Sequence, residues 1–301
     1  MAISIKIKSR KYFCFYIFLL VMHCVVLYYL FLILIKEIVG QRLALRIMGG
    51  RDAIVTDYPY IVKLELQTVM YRVPKIVKNK HICTAGVLTS TWTITAAHCL
   101  TLKGKKVHKL ISMGPVIRYG TLEHNAVSSV LFAITHPAYR LTKDRIQNDI
   151  GLVKTETIPL SQYARVSALD FTTMIGQEAT LTGFGLTDNA QGAIGDATSV
   201  NKPLQILDVV IVRCDKDTSV MKPSMCLARK CDKSSGMCPG DSGGPMIHAS
   251  GIVGVNSLGP SELGTFCAKE STDPVYETAE VTPISPFIDW ITDTTNDDYV
   301  P

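Results

Sequence analysis

Hydrophobic residues are distributed differently in the first 46 positions than in the rest of the chain. The first segment contains one almost unbroken apolar run from Tyr12 to Ile35, preceded by basic residues and closed by Lys36 and Glu37. Beyond it, the apolar stretches are short, rich in β-branched residues and separated by Gly, Pro and Asn. This contrast predicts a leader segment followed by a β-rich domain.

The short apolar stretches beyond the leader predict β-strands. Many short strands with turn residues between them are typical of an all-β sandwich or barrel rather than a βαβ fold. The polar stretch from Asp188 to Lys202 predicts a surface loop. The predicted strands are Tyr60 to Leu66, Ala85 to Leu88, Trp92 to Ala96, Ser129 to Thr135, Ile150 to Lys154, Glu178 to Thr182, Gln205 to Val212, Pro245 to Ile247 and Gly251 to Val255.

One helix is predicted near the C-terminus. Ser285 is a residue type that caps helices, and Pro286 is favoured in a first helical turn. The apolar residues that accompany them have helical spacing. These residues are Phe287, Ile288, Trp290 and Ile291.

The leader predicts export from the cell. Its apolar run of about 24 residues is longer than the roughly 7 to 15 of an ordinary signal-peptide core and reaches the roughly 20 that span a bilayer. Residues 1–40 are therefore either a signal peptide that is removed or a signal anchor that keeps residues 12–35 in the membrane. A leader that started at Met22 would have the ordinary length, and we favour removal and secretion.

The location of the charges limits the kinds of partner. The whole chain has a formal charge of +5, but residues 1–46 hold seven basic side chains and one acidic side chain. Of the 31 basic and 26 acidic residues, 24 and 25 therefore remain beyond residue 46, a balance of −1. No basic field is left to bind phosphates, so we predict no nucleic-acid partner.

Cysteine usage favours disulfide bonds over metal sites. Of nine cysteines, two lie in the leader, and the seven that follow an export signal are typical of disulfides. No C-x-x-C pair or His/Cys cluster has zinc spacing, so we predict no metal and no cofactor. Because seven is an odd number, one thiol is left without a partner.

Three motifs carry candidate chemistry. They are Thr95-Ala96-Ala97-His98-Cys99, Asn148-Asp149-Ile150-Gly151-Leu152 and Gly240-Asp241-Ser242-Gly243-Gly244-Pro245. A serine hydroxyl is a weak nucleophile at neutral pH and needs a base that is itself held in the right tautomer. Singly, the motifs also fit a core histidine, a cap and a turn, but together they indicate catalysis by His98, Asp149 and Ser242.

The three motifs, in the order His, Asp, Ser, resemble those of the chymotrypsin/trypsin family of serine peptidases. The resemblance extends from Ile47 to about Thr294. It implies an all-β fold of two six-stranded Greek-key β-barrels, roughly at 47–155 and 156–284, with a C-terminal α-helix and the active site between the barrels. The peptidase domain then covers 47–295, and 296–301 form a tail.

The resemblance implies a serine endopeptidase that works through an acyl-enzyme intermediate. His98 corresponds to the general base, Asp149 to the residue that orients it, and Ser242 to the nucleophile. The backbone N–H groups of Gly240 and Ser242 correspond to the oxyanion hole. We interpret the other histidines beyond the leader as surface or core residues: His81, His108, His124, His136 and His248.

The family also implies a disulfide pattern. By resemblance, Cys83 pairs with Cys99 around the histidine motif. The two other family pairs correspond to Cys214 with Cys226 and Cys238 with Cys267. Cys231 has no counterpart in the family and is predicted to be the unpaired thiol.

Residues 41–46 resemble an activation propeptide. The sequence Arg46-Ile47-Met48-Gly49-Gly50 resembles the family's activation junction, with Met where Val is commoner. Cleavage after Arg46 by an Arg-specific protease would release the amine of Ile47. In the family this amine pairs with the acid before the nucleophile, which is Asp241 here. The resemblance therefore implies a zymogen.

The specificity pocket departs from that of trypsin-like members. Counting back from Ser242 puts Gly236 at the pocket floor, where those members have Asp, and the same alignment puts Asn256 and Pro274 at the walls. A basic substrate side chain has no counter-charge in such a pocket. We therefore predict a non-basic preference, apolar or aromatic, for the residue before the cut.

Three further departures follow from the same alignment. Gly254 falls where the family has a serine that supports the catalytic aspartate, so Asp149 is expected to lose one hydrogen bond. Val255 falls where a tryptophan is common. The segment after Tyr119 lacks the family's acidic calcium loop, so no calcium site is expected.

Two alternatives stay open. A catalytically inactive homologue would keep the fold as a binding or regulatory module, and a membrane-anchored peptidase would act at the cell surface. The expected partners are protein or peptide substrates and the activating protease, with protein inhibitors as a further open class. We expect a monomer.

Overall fold

A computed structural model describes residues 22–23, 47, 50–70, 76–102, 105–106, 114–121, 124–185, 203–214, 219–229, 236–259 and 277–296. The chain divides into two compact units, Met1–Ala44 and Leu45–Pro301. In the first unit, Met22 and His23 are helical; the rest of the predicted leader, like the predicted loop from Asp188 to Lys202, lies outside the described residues. Among the described residues, no helix is both long and apolar enough to cross a membrane.

The first half of the second unit is a closed antiparallel barrel of β2, β3, β4, β11, β8 and β7, in that order. Alternate positions point inward, so Trp92, Ile94 and Leu152 are fully buried in its core. The strands of this half are β1 (Arg51–Asp52), β2 (Ile61–Met70), β3 (Ile76–Val87), β4 (Trp92–Thr95), β5 (Thr101–Leu102), β6 (Lys105–Lys106), β7 (Gly114–Gly120), β8 (Asn125–Thr135), β9 (Arg140–Leu141), β10 (Ile146–Gln147) and β11 (Gly151–Thr155).

The second half contains the remaining strands of the described chain. They are β12 (Glu178–Gly183), β13 (Gln205–Val212), β14 (Met221–Lys222), β15 (Met225–Arg229), β16 (Pro245–His248), β17 (Gly251–Leu258) and β18 (Glu277–Pro283). Six of them form a second closed barrel in the order β13, β12, β16, β17, β18, β15, and β1 pairs with the first two residues of β13. Leu181, Val209 and Leu227 lie in its core.

The two barrels repeat one topology. When the six strands of each are numbered along the chain, both close in the order 1-2-3-6-5-4. The motif with His98 begins at the end of β4. The motifs with Asp149 and Ser242 lead into β11 and β16. This architecture confirms the prediction of two six-stranded Greek-key barrels.

The predicted C-terminal helix is present, but its start differs from the prediction. Ser285–Phe287 form a 3₁₀ turn, and the α-helix α1 covers Ile288–Thr295. The Ser285 hydroxyl does not cap the helix. It accepts a hydrogen bond from the backbone N–H of Phe171 at 3.1 Å and so ties the turn to the second barrel.

Most predicted strands coincide with observed ones, and Gln205–Val212 agrees at both ends. Three of the twelve barrel strands had no sequence prediction, namely β7, β15 and β18, and the two-residue strands outside the barrels had none either. In β18, the polar residues Glu280 and Thr282 alternate with Ala279 and Val281 and interrupt the apolar pattern. β15 is only five residues long, and its buried residues Met225, Cys226 and Leu227 are consecutive.

Candidate active site

His98 lies on a tight turn directly after a core strand. β4 ends at Thr95, and a 3₁₀ turn then covers Ala97–Leu100. The disulfide Cys83–Cys99 joins this turn to β3. The turn is therefore held at both sides, by the barrel wall and by a covalent bond.

Asp149 reaches the histidine from the strand that pairs with β4. Gly151, the first residue of β11, is opposite Thr95 in the antiparallel register, so the residues just outside these two strand ends are neighbours. A Cβ at Gly151 would lie 2.5 Å from Leu100, which explains a glycine at this close approach. Asn148 has a φ of 52°, and its side-chain amide donates to Ala138 O at 2.9 Å, which supports this left-handed turn.

Two hydrogen bonds join His98 to Asp149. The distance from Nδ1 of His98 to Oδ2 of Asp149 is 2.7 Å, and the His98 backbone N–H donates to Oδ1 at 2.9 Å. The Asp149 side chain is fully buried, whereas 27% of the His98 side chain is exposed. The carboxylate therefore fixes the ring, and Nε2 on the opposite edge lies 3.7 Å from Sγ of Cys99.

Ser257 supplies a further donor to the same carboxylate. Its hydroxyl donates to Oδ2 of Asp149. The expectation that Asp149 loses this hydrogen bond through Gly254 is therefore wrong. The supporting serine is present three residues further along β17, because the segment from Ser242 to this serine is three residues longer than the alignment assumed.

Burial and charge together set the titration of the pair. Burial alone favours the neutral ring of His98, but the charge and hydrogen bond of Asp149 outweigh it and hold the pKa of His98 above its ordinary value. Burial also favours the protonated carboxyl of Asp149. The charge of His98 and the hydrogen bonds from His98 and Ser257 outweigh it and hold the pKa of Asp149 below its ordinary value. Asp149 is therefore ionised wherever His98 titrates.

Ser242 belongs to the second barrel, in the turn before β16. Its hydroxyl is 3.5 Å from Ser257 O, and no hydrogen bond joins it to the His98 ring. Such contacts are often long without substrate and shorten when the reacting complex forms. The structure thus brings His98 and Asp149 into direct contact and has Ser242 bonded to their neighbour, Ser257.

The backbone around Ser242 exposes two donors. Gly240 and Gly243 have φ values of 98° and 80°, which favour glycine. These turns leave the backbone N–H groups of Gly240 and Ser242 without a hydrogen-bond acceptor among the described residues. Two such neighbouring donors can bind a negatively charged oxygen.

His81 has a contact that the sequence interpretation missed. Nε2 of this histidine is 3.0 Å from Gly240 O, and the ring packs edge-on against Phe184. It lies two residues before Cys83 on β3, and no motif marks it. Its role follows only from the way that β3 passes the turn of the second barrel.

The residues of the predicted activation switch are deeply buried where they are described. Ile47 is fully buried in the core of the second barrel, and Asp241 is also fully buried. The Asp241 carboxylate accepts hydrogen bonds from Gly185 N at 2.7 Å and Cys238 N at 2.9 Å. A Cβ at Gly183 would lie 2.1 Å from Asp241 Oδ1. Arg46 lies outside the described residues.

The predicted pocket residues differ in their outcome. Gly236 is buried in the segment that leads to the turn before Ser242. Asn256 is fully buried, and its amide donates to Thr182 O at 2.9 Å, so its side chain is part of the barrel interior and not a pocket wall. Val255 is likewise buried in the core and not at the cleft. Pro274 lies outside the described residues.

The cysteines form bonds where they are described. Besides Cys83–Cys99, a disulfide joins Cys214 to Cys226. Cys238 is also disulfide-bonded, whereas its predicted partner Cys267 lies outside the described residues. Cys231 lies outside them too. The grouping of Cys83, His98 and Cys99 has metal-ligand residue types, but its two sulfurs are bonded to each other.

Comparisons with known proteins show which family the chain resembles. The family model described as Trypsin matches residues 47–291. Human granzyme M is 26% identical over 259 residues, which cover 84% of this chain and 90% of granzyme M. Trypsin of Phaedon cochleariae is 30% identical over 263 residues, which cover 83% of this chain and 89% of that trypsin.

A solved structure is similar in fold. Neuropsin, a serine protease expressed in the limbic system of mouse brain, superposes with a TM-score of 0.61 at 20% identity. The match covers 83% of this chain and the whole neuropsin chain. The two-barrel architecture is thus found in a solved protein.

Proposed function

Because the chain belongs to the trypsin family of serine endopeptidases, we propose that it cleaves peptide bonds through an acyl-enzyme on Ser242. His98 is the general base, and Asp149 orients and stabilises it. The observation that carries this proposal is the buried Asp149 carboxylate, which accepts from both His98 and Ser257 beside the Ser242 turn.

The proposed steps balance with these groups alone. Ser242 Oγ attacks the substrate carbonyl carbon while its proton passes to Nε2 of His98. The N–H groups of Gly240 and Ser242 bind the resulting oxyanion. Collapse breaks the C–N bond, and the amine leaves with the proton from His98. His98 then takes a proton from a water molecule, which attacks the carbonyl carbon of the Ser242 ester. The C–O bond breaks, the carboxylic acid is released, and His98 returns the proton to Ser242 Oγ.

A covalent label tests the nucleophile. A fluorophosphonate is expected to attach to Ser242 Oγ with loss of fluoride, because only an activated serine displaces fluoride readily. Ser242→Ala should keep the fold, lose the label and lower turnover by several orders of magnitude. Ser167→Ala, at a buried serine between β11 and β12 whose hydroxyl bonds to Ser250, is the matched control. Absence of labelling in the activated wild type would favour the inactive homologue.

We further propose activation by cleavage after Arg46. Ile47 and Asp241 are both fully buried, and Ile47 packs in the core of the second barrel with Met237 and Met246. A new ammonium at Ile47 would compensate the buried charge of Asp241, the residue between the two oxyanion donors. An Arg-specific protease is the corresponding partner.

For substrates, we propose a non-basic residue before the cut, apolar or aromatic. Gly236 brings no acid to the pocket floor, and the adjacent Met237 is buried and apolar. The three-residue offset that moves the supporting serine from Gly254 to Ser257 also moves the pocket wall from Asn256 to Gly259. A glycine wall leaves the pocket open to large side chains.

Short amide substrates that differ only in the residue before the cut test this specificity. The activated enzyme should cleave after apolar or aromatic residues more efficiently than after Lys or Arg, because no counter-charge offsets the desolvation of a cation. A preference for Arg or Lys would contradict the pocket assignment. Comparison of kcat/KM across the panel measures the difference.

We also propose export with removal of the leader, and a monomeric enzyme that acts on protein or peptide substrates. The charge balance of −1 beyond residue 46 supports a partner other than nucleic acid. The N-terminal sequence of the mature protein distinguishes the two leader alternatives. A chain that starts at Ile47 has lost the leader and is released, whereas a chain that still carries residues 1–46 remains attached to the membrane through the leader.

A further inference from the structure

Thr84 on β3 contacts Gly240 and Ser242, the two residues whose backbone N–H groups are the proposed oxyanion donors. Its backbone N–H donates to Ser242 O at 2.9 Å. Its hydroxyl donates to Gly240 O at 2.9 Å. A single residue of the first barrel thus holds the carbonyl groups at both ends of the segment Gly240–Ser242 in the second barrel.

The direction of the Thr84 hydroxyl is fixed by a third contact. Phe184 N donates to Thr84 Oγ1 at 3.0 Å, so the hydroxyl is the acceptor there. Its one hydrogen then goes to Gly240 O. Thr84 is completely buried, and its own carbonyl accepts from Thr95 Oγ1 at 2.9 Å, so β3 and β4 hold it in position.

Anchoring Gly240 O has a consequence for the donors. A glycine at a φ of 98° has little intrinsic preference for one peptide orientation. Fixing its carbonyl at one side by Thr84 and at the other by His81 restricts rotation of the peptide between Gly240 and Asp241. The N–H groups of Gly240 and Ser242 lie on either side of this peptide.

We propose that Thr84 is a positioning residue for the oxyanion site: it aims both N–H groups at one point before the reaction starts. The proposal rests on the proposed function of Gly240 and Ser242 as the oxyanion donors. Donors that are already aimed stabilise the transition state without reorganisation, so their loss lowers kcat more than it raises KM.

The test compares three activated variants with the wild type. Thr84→Val keeps the shape but removes the hydroxyl, and Thr84→Ser keeps the hydroxyl. Thr182→Val is the matched control, since Thr182 is also fully buried and donates to the carbonyl of Pro245, three residues after Ser242. Circular dichroism shows whether each variant is folded.

The expected result separates positioning from general stability. Thr84→Val should lower kcat by about tenfold or more with KM within about twofold. It should weaken binding of a peptide aldehyde by a similar factor, because the serine adduct places an oxygen at the oxyanion site. Thr84→Ser should restore both quantities, and Thr182→Val should leave both near the wild-type values.

Three outcomes overturn the proposal: folded Thr84→Val with wild-type kcat and aldehyde affinity, a change in KM alone, or an equal loss in Thr182→Val. If Thr84→Val does not fold, Thr84→Ala removes the hydroxyl with less steric demand and is judged by the same criteria. A wild type without turnover contradicts the proposed function itself, whereas an active wild type matched by Thr84→Val contradicts only the role of Thr84.

Discussion

Ser257 and Asp149 are joined across the two barrels: the Ser257 hydroxyl donates to Oδ2, the same carboxylate oxygen that binds Nδ1 of His98. Two donors on one buried oxygen fix the carboxylate in the plane that the histidine needs. The bond therefore connects the second barrel to the catalytic base of the first.

Removal of the Ser257 hydroxyl should reduce activity without unfolding the protein. Ser257→Ala takes away one donor that holds the Asp149 carboxylate, and we expect a loss of about tenfold in kcat/KM. Asp149 then attracts the His98 proton more strongly, so the rising limb of the pH profile should move to higher pH. Steady-state kinetics between pH 5 and 9 measure both effects.

Ser167→Ala is the control for this prediction. Ser167 is buried to a similar degree, but its hydroxyl bonds to Ser250, away from the candidate active site. The control should retain wild-type kcat/KM. Equal losses in both variants would mean that Ser257 acts through packing only.

The pH dependence of the wild type follows from the raised pKa of His98. The base works only as the neutral ring, so kcat/KM should rise as the pH passes through the pKa of His98, above the ordinary value of about 6.5. Asp149→Asn removes the charge that raises this pKa. The limb should then move to lower pH, and kcat should fall by about 10⁴.

A wild-type kcat/KM that rises at a pH equal to or below the ordinary histidine pKa would contradict this interpretation. A limb that stays in place in Asp149→Asn would equally exclude Asp149 as the cause. Asp208→Asn, at a surface aspartate of β13 that pairs with Arg51, is a control that should change neither quantity.

The space around the Asp241 carboxylate gives a third prediction. A Cβ at Gly183 would lie 2.1 Å from Oδ1 of Asp241, and the carboxylate has no room to move within the core. Gly183→Ala should therefore lower the free energy of unfolding by about 3 kcal/mol and reduce activity further by displacing the turn before Ser242. Urea unfolding and turnover measure the two effects.

Gly114→Ala is the matched control for a strand glycine. Among the described residues, a Cβ at Gly114 has only one neighbour within reach, Gln67 O at 4.0 Å. It should change the free energy of unfolding by less than about 1 kcal/mol. A Gly183→Ala protein as stable and active as this control would contradict the close packing of Asp241.

The activation proposal predicts a precursor that stays inactive when its cleavage site is removed. Arg46→Gln should fold normally but resist an Arg-specific protease, and it should show no turnover after treatment, whereas the treated wild type becomes active. The physical reason is that only cleavage creates the ammonium that can compensate the buried Asp241. Full activity in untreated Arg46→Gln would contradict the switch.

Sequence patterns predicted most of the strands that contain a sustained run of apolar residues. Gln205–Val212 was predicted at both ends because Ile206, Leu207, Val209 and Ile211 are all buried. β7 was not predicted, because its Gly114, Pro115 and Arg118 interrupt the apolar pattern. The Arg118 side chain pairs with the buried Glu65 at 2.8 Å, a partner 53 residues away that no local window contains.

The residues of the candidate site also differ in whether a local sequence pattern or a distant contact reveals them. The motifs around His98, Asp149 and Ser242 are local in sequence, so they could be read before the fold was known. Ser257 and Thr84 act through single hydrogen bonds between distant strands. Gly254 was misassigned because the alignment alone did not fix the number of residues between Ser242 and the supporting serine, and the contact of Ser257 with Asp149 is visible only in the fold.

The division of the site between two barrels affects how the protein should fail on heating. His98 and Asp149 come from the first barrel and Ser242 from the second, joined by the hydrogen bonds of Thr84 and Ser257. A relative slip of about 1 Å is enough to spoil the alignment of reacting groups, whereas each barrel keeps its own strand pairing through such a slip. Heat inactivation should therefore precede the loss of β-structure, so activity should fall at a lower temperature than the circular dichroism signal.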